Sequence, residues 1–153
     1  MLYFLSELSD GGDAFNLFRY ITFRSGGAFF TALILSFIFG APLIRRLRKM
    51  QKNGQPIRED GPTSHIIEKA GTPTMGGVLI LGTLLFSSLL WARSDNGYVW
   101  IVLLVTVGFG GIGFLDDYLK VTKNNVKGFS SKARILLGLL ISLIAVYWAQ
   151  RLH

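Results

Sequence analysis

Three stretches of this chain carry no charged side chain: Gly26 to Ile44, Thr74 to Ala92 and Tyr98 to Leu115. A helix that crosses the hydrocarbon core of a bilayer needs about 20 mostly apolar residues, within a range of about 17 to 25. Each stretch is long enough. A fourth, Ile135 to Ala149, is shorter. It reaches spanning length when Ala133 and Arg134 are counted, with Arg134 snorkelling to the head groups. The expected fold class is therefore all-α: a single polytopic membrane domain over residues 1–153, with about four transmembrane helices near 26–44, 74–92, 98–115 and 133–149. Composition agrees. Hydrophobic residues make up 50% of the chain, and a mean hydropathy of +0.44 is too high for an ordinary soluble domain.

A net charge of +7 could suggest nucleic acid, but its distribution argues against that partner. Arg45, Arg46, Arg48, Lys49, Lys52, Arg58 and Lys69 lie between the first two apolar stretches. Lys120, Lys123, Lys127, Lys132 and Arg134 lie between the third and the fourth. Together they are 12 of the 16 basic residues. In a four-helix topology the loops 45–73 and 116–132 share one side, and the positive-inside rule makes that side cytoplasmic. Both termini and the Arg93–Gly97 turn then lie outside. The basic excess is first a topology signal; it also suits anionic membrane lipids or a phosphorylated substrate.

The chain has no cysteine, which excludes a disulfide framework and a thiolate metal site. Its first 24 residues do not read as a cleaved signal, because Glu7, Asp10 and Asp13 precede any long apolar core. Tyr3, Phe4, Phe15, Phe18 and Tyr20 fit an amphipathic segment lying at the interface; a loosely ordered terminus fits equally. The first basic loop is broken by Asn53-Gly54, Pro56, Gly61-Pro62 and Gly71-Thr72-Pro73, so an irregular loop is expected, with a short helix over Ser64 to Lys69. Pro42 should kink the first span, and Ser130 and Ser131 are candidate caps for the last helix.

Gly108, Gly110 and Gly113 form a literal G-x-G-x-x-G. A dinucleotide fingerprint needs a strand before it and a helix opening on it. Here the glycines sit inside an uninterrupted apolar stretch, where small residues let membrane helices approach closely. Helix packing is the expected role of all three.

Asp116 and Asp117 stand side by side where the third apolar stretch ends. At the end of a helix they would add negative charge to the macrodipole's negative pole, so something positive must compensate them. Ionisable groups at or inside a membrane are costly and usually functional. Lys120 lies four residues after Asp116 and three after Asp117, which permits an ordinary ion-pair cluster joined by Lys123. Paired carboxylates equally suit a hard cation that binds substrate phosphates. Spacing leaves both readings open. Removing one charge of the pair is expected to leave folding intact. The run Gly71 to Gly77 reads either as a turn before a glycine-rich helix start or, with Lys69, as an anion site built on helix amides. His65 and His153 read as solvated side chains.

Lys69-Ala70-Gly71-Thr72-Pro73-Thr74-Met75-Gly76-Gly77, followed by Phe114-Leu115-Asp116-Asp117-Tyr118-Leu119-Lys120, resembles the phospho-N-acetylmuramoyl-pentapeptide-transferases. These are a branch of the polyprenyl-phosphate N-acetylhexosamine-1-phosphate transferases. Lys127-Gly128-Phe129-Ser130-Ser131-Lys132 is similar to the family's next cytoplasmic segment. The Thr-Pro-Thr-Met-Gly-Gly run is specific to the branch, and the Asp pair is shared across the superfamily. The resemblance implies a bacterial inner-membrane enzyme of peptidoglycan biosynthesis. Its activity is transfer of phospho-MurNAc-pentapeptide from UDP-MurNAc-pentapeptide to undecaprenyl phosphate, yielding lipid I and UMP, with Mg2+ as cofactor.

By the same resemblance the catalytic pair maps onto Asp116 and Asp117, which also take part in metal binding, indirectly or shared with a later Asp. The phosphate- and nucleotide-binding residues map onto Lys69, Thr72, Thr74, Lys120 and Lys132. Asp116 is the carboxylate expected to take the proton from the lipid phosphate. A homodimer is a further expectation for the full-length enzyme. The family has about ten spans, a later metal-binding aspartate and a histidine-rich loop, none of which this sequence contains. It reads as the N-terminal portion, inactive alone. Two alternatives are a sister transferase using another UDP-amino sugar and a non-enzymatic membrane fragment.

Overall fold

The computed structural model describes residues 1–9, 12–51, 75–123 and 130–152. Four α-helices carry them: α1 (Ile21–Met50), α2 (Gly77–Trp91), α3 (Gly97–Lys123) and α4 (Ser131–Arg151). Two 3-10 helices, Leu2–Leu8 and Ala14–Arg19, come first. No strand occurs among the described residues.

The helices α1, α3 and α4 are long and apolar enough to cross a membrane. At about 1.5 Å per residue, the 30 residues of α1 reach roughly 45 Å, well past a hydrocarbon core of about 30 Å. The 15 residues of α2 reach only about 22 Å. Against the four spans expected, the described residues hold three helices of spanning length and one shorter. The shortening has a local cause at the start of α2. Met75 has φ 75°, a left-handed conformation rare for a residue with a side chain, so the helical run cannot extend back through it.

Neighbouring helices run antiparallel, and cross-helix pairs fix the register. On α1 and α2, Gly27 lies against Trp91 and Gly40 against Leu79. Between α2 and α3, Gly110 lies against Leu81. On α3 and α4, Gly97 lies against Leu152, Gly108 against Ile141 and Phe109 against Gly138. The helices form an open row in which each packs on the next in sequence, and α1 makes no packing contact with α3 or α4 among the described residues. Little of this row is enclosed: its buried apolar side chains are Leu47, Ile101, Leu103 and Ile112. Phe29, Phe37 and Ile38 on α1, and Ile135, Leu139 and Leu143 on α4, stand exposed, which is how a chain presents itself to lipid or to further helices.

Helix boundaries differ from the expected apolar windows. The first helix passes through Pro42 and carries Arg45, Arg46, Arg48 and Lys49 as its last turns. Cations there complement the negative pole of the helix. The third passes through Asp116 and Asp117 to Lys123, so the pair lies inside a helix rather than at its end. The uncharged stretch stops at Leu115, but Tyr118, Leu119 and Val121 sustain the helix beyond it. Ser130 is the N-cap of α4, yet its hydroxyl makes no capping bond; its carbonyl accepts from the Arg134 N–H at 3.0 Å.

The N-terminal segment is docked. The Met1 ammonium donates to the Leu89 carbonyl at 3.2 Å. Phe18 stacks on Trp91 with ring centroids 5.9 Å apart. The guanidinium groups of Arg24 and Arg93 lie 5.0 Å and 4.4 Å from the Tyr3 ring centroid. These contacts close the end of the row opposite Asp116.

Candidate functional site

The antiparallel register of α3 and α4 brings the last turns of one beside the first turn of the other. Asp116 lies there, 7% exposed. Its Oδ2 accepts from Lys120 Nζ at 2.6 Å, one helical turn along α3. Its Oδ1 accepts from Arg134 Nη2 at 2.7 Å, across the helix interface. Both carboxylate oxygens are thus engaged by cations. A buried carboxylate without such partners would be very costly, and breaking a buried pair costs far more than forming it gains.

Asp117 points elsewhere. Successive residues on a helix sit about 100° apart and do not face each other. It is the more exposed of the two carboxylates. A cavity of about 270 Å³ opens beside Asp116, lined by Phe109, Ile112, Gly113, Asp116 and Arg134. Gly113 contributes space: a Cβ there would meet no atom within 4 Å. This corrects the expectation that all three glycines of the G-x-G-x-x-G pack helices. Gly108 and Gly110 do, whereas Gly113 borders the carboxylate.

Of the ion-pair cluster expected from spacing, the Asp116–Lys120 pair is present, joined by one member that sequence reasoning missed. Arg134, which its place in the sequence marks only as a cation at the start of the last span, ties α4 to α3 through Asp116. One signal could have found it. With α3 and α4 antiparallel and a short connection between them, the first cations of α4 must fall near the last anions of α3. Lys132 stands exposed on the first turn of α4, two residues before Arg134. Lys69, Thr72 and Thr74, with the short helix expected over Ser64 to Lys69, lie outside the described residues, as do His65 and His153.

A divalent hard cation takes six or more oxygen ligands. No group of three His, Cys, Asp or Glu side chains that could hold a metal occurs among the described residues. Asp116 already has a cation on each oxygen. These residues do not by themselves make a magnesium site.

The short turn at the opposite end holds a further ion pair, between two half-exposed side chains. Arg93 donates to Asp95 through Nε at 3.2 Å and Nη2 at 2.5 Å. That bidentate bond holds the Asp95 carboxyl below the usual carboxylate range and raises the Arg93 guanidinium.

Fold and site together define an all-helical polytopic membrane protein with a carboxylate–cation cluster buried between two of its helices. Residues 69–81 match a family model described as phospho-N-acetylmuramoyl-pentapeptide-transferase signature 1. Over all 153 residues the chain is 64% identical to a protein of Ruegeria sp. (strain TM1040) and 66% identical to one of Dinoroseobacter shibae. It is 57% identical to one of Granulibacter bethesdensis over 99% of its length. Each of the three relatives carries the name phospho-N-acetylmuramoyl-pentapeptide-transferase. Over its whole length the chain is thus similar to proteins of that name. It spans 42% of the length of these relatives.

Proposed function

We propose that this chain is part of an enzyme that transfers phospho-MurNAc-pentapeptide from UDP-MurNAc-pentapeptide to undecaprenyl phosphate, releasing UMP and forming lipid I for peptidoglycan. The observation that carries the reading is the similarity of the entire chain to transferases of that name, with their signature falling on Lys69 to Leu81. Phosphoryl transfer of this kind depends on positioning and charge neutralisation. Lys120 and Arg134, locked by Asp116, present two fixed cations where a diphosphate would gather negative charge. With both oxygens bridged, Asp116 acts as the positioning carboxylate. Asp117, the more exposed of the pair, is the better placed to meet substrate. Lys69, Thr72, Thr74 and Lys132 are the further phosphate and nucleotide contacts. Mg2+ is the proposed cofactor; it would supply neutralisation of the diphosphate's charge, with Asp117 among the carboxylates that would help hold it. The full-length enzyme is proposed to be a homodimer.

The test is an assay of the full-length protein with undecaprenyl phosphate and UDP-MurNAc-pentapeptide. Release of UMP with formation of the lipid-linked sugar is expected. Activity with another UDP-amino sugar and none with this one would move the protein to a sister transferase.

The orientation proposed is that of the bacterial inner membrane, with the Arg45–Lys49 end cytoplasmic. Single cysteines introduced at Gln55 and Asn96 check it with a membrane-impermeant thiol reagent on intact cells. Labelling at 96 and protection at 55 are expected. The reverse pattern would put the Asp116 cluster on the side that has no nucleotide sugar.

A further inference from the structure

The last turns of α1 carry Arg45, Arg46, Arg48 and Lys49, all of them exposed. A continuous helix fixes their spacing. Arg48 and Lys49 lie three and four residues after Arg45, as neighbours on the helix surface, and like charges so placed repel. None of the four forms an ion pair among the described residues. The negative pole of the helix offsets only about half a charge. The four line a cavity of about 540 Å³ with Pro42. A second cavity, of about 650 Å³, shares Pro42 and Arg46 with the first and runs along the interface of α1 and α2. Most of its wall is apolar, with Phe39 and Leu43 from α1 and Val78 and Phe86 from α2. Gly82 leaves space in it, since a Cβ there would meet no atom within 4 Å. Phe39 and Phe86 are exposed, so the groove is open at its side. Cationic end and apolar groove are thus continuous, and Arg46 is where they join.

We propose that this groove binds one anionic glycerophospholipid, its phosphate accepting from Arg46 among the other three cations and one acyl chain lying over Gly82 between Phe39 and Phe86. The charge pattern identifies the class of ligand. Basic side chains clustered where a spanning helix leaves the apolar phase attract anionic head groups. The apolar groove that adjoins them suits an acyl chain, which a soluble phosphate lacks. No carboxylate lines either cavity among the described residues, so the groove can hold a phosphate but has no base to take its proton. That fits a resident lipid rather than one that reacts. The site is separate from the Asp116 cluster, because α1 makes no packing contact with α3 or α4 among the described residues. The inference therefore does not rest on the transferase reading. The lipid's role is to fasten α1, which packs on α2 alone of the other three α-helices.

Native mass spectrometry of the full-length protein in nonionic detergent, titrated with dioleoylphosphatidylglycerol, tests this. The wild type is expected to retain that lipid in preference to dioleoylphosphatidylcholine. Arg46→Gln should weaken one bound phosphatidylglycerol about tenfold, the scale of one lost charged hydrogen bond. Arg46→Lys should keep part of the affinity. Arg151→Gln, which removes a cation at the other end of the row, should change nothing. Gly82→Phe fills the groove and leaves every cation in place, and it should expel the same lipid. That variant decides the matter if Arg46→Gln folds poorly by circular dichroism, because the space at Gly82 is open. Unchanged retention in folded Arg46→Gln and Gly82→Phe would overturn the proposal. So would equal retention of phosphatidylcholine, displacement by millimolar inorganic phosphate, or displacement by equimolar undecaprenyl phosphate, which would give the groove to the acceptor. A wild type that retains no phosphatidylglycerol, as when another part of the full-length chain fills the groove, would overturn it too.

Discussion

Asp116→Asn and Asp117→Asn, made in the full-length protein, are each expected to cut turnover by about a hundredfold or more, Asp117→Asn as the loss of a positioned group that meets substrate and Asp116→Asn through misplacement of the cations it holds. The two should differ in what happens to folding. Asn at 116 leaves Lys120 and Arg134 facing each other across the helix interface with no anion between them. A fully buried pair broken this way costs about 3–5 kcal/mol. Here the Arg134 side chain is 48% exposed, so solvent screens part of the loss and roughly 1–3 kcal/mol is expected. Asn at 117, at the more exposed carboxylate, should lower the thermal midpoint less than Asn at 116. The expectation from sequence, that either substitution spares folding, is thus revised for Asp116, because Asp116 is buried and salt-bridged. Adding Arg134→Gln to Asp116→Asn should recover stability but not turnover, a non-additive pattern that residues in direct contact show. The 153-residue chain alone should transfer nothing at any Mg2+ concentration. Near-normal turnover in both Asn variants would reduce the pair to a structural ion cluster.

Gly110→Leu should lower the amount of folded protein severalfold, with or without nucleotide. A Cβ at Gly110 would fall 2.7 Å from Leu81 Cδ2 of α2, and a leucine must place three more carbons in the same gap. Overpacking of this kind typically costs about 1–3 kcal/mol. Gly108→Leu should behave alike against Ile141, whose Cδ1 would lie 2.8 Å from the new Cβ. Gly113→Ala supplies the contrast, since its Cβ would meet nothing and the yield should hold. Membrane-fraction yield and circular dichroism give the readout. Saturable binding of NAD to the wild-type protein, abolished by Gly110→Leu, would restore the dinucleotide reading of the motif.

The periodic features are legible in the order of residues. Uncharged stretches long enough to cross a bilayer specify helices, because in lipid the backbone must satisfy its own hydrogen bonds. The Asp116–Lys120 pair follows from four-residue spacing on a helix, a local geometry that needs no tertiary information. The Lys69 to Gly77 and Asp116–Asp117 runs carry the resemblance, and the family signature falls on the first of them. Helix ends are less legible. A change in hydropathy marks where a chain leaves the apolar phase, not where its hydrogen-bonded ladder stops, so α1 and α3 run past Ile44 and Leu115 into charged residues.

The long-range pairings belong to the packing of the helices. Nothing local to Arg134 says that its guanidinium meets Asp116, 18 positions earlier; the antiparallel packing of α3 on α4 does. The three glycines look equivalent in sequence, yet Gly108 faces α4, Gly110 faces α2 and Gly113 faces a cavity. Gly108 and Gly110, two apart, fall on opposite sides of the helix and Gly113 lies a turn along from Gly110, and only the neighbouring helices give those positions meaning. The docking of Tyr3 and Phe18 on Arg24, Arg93 and Trp91 has the same origin. Helices and membrane are thus written in the chain's linear pattern, which local hydrogen bonding and hydropathy read directly. That Arg134 joins Lys120 in neutralising Asp116 is settled by packing, since Coulombic pairing depends on distance in space and not along the chain.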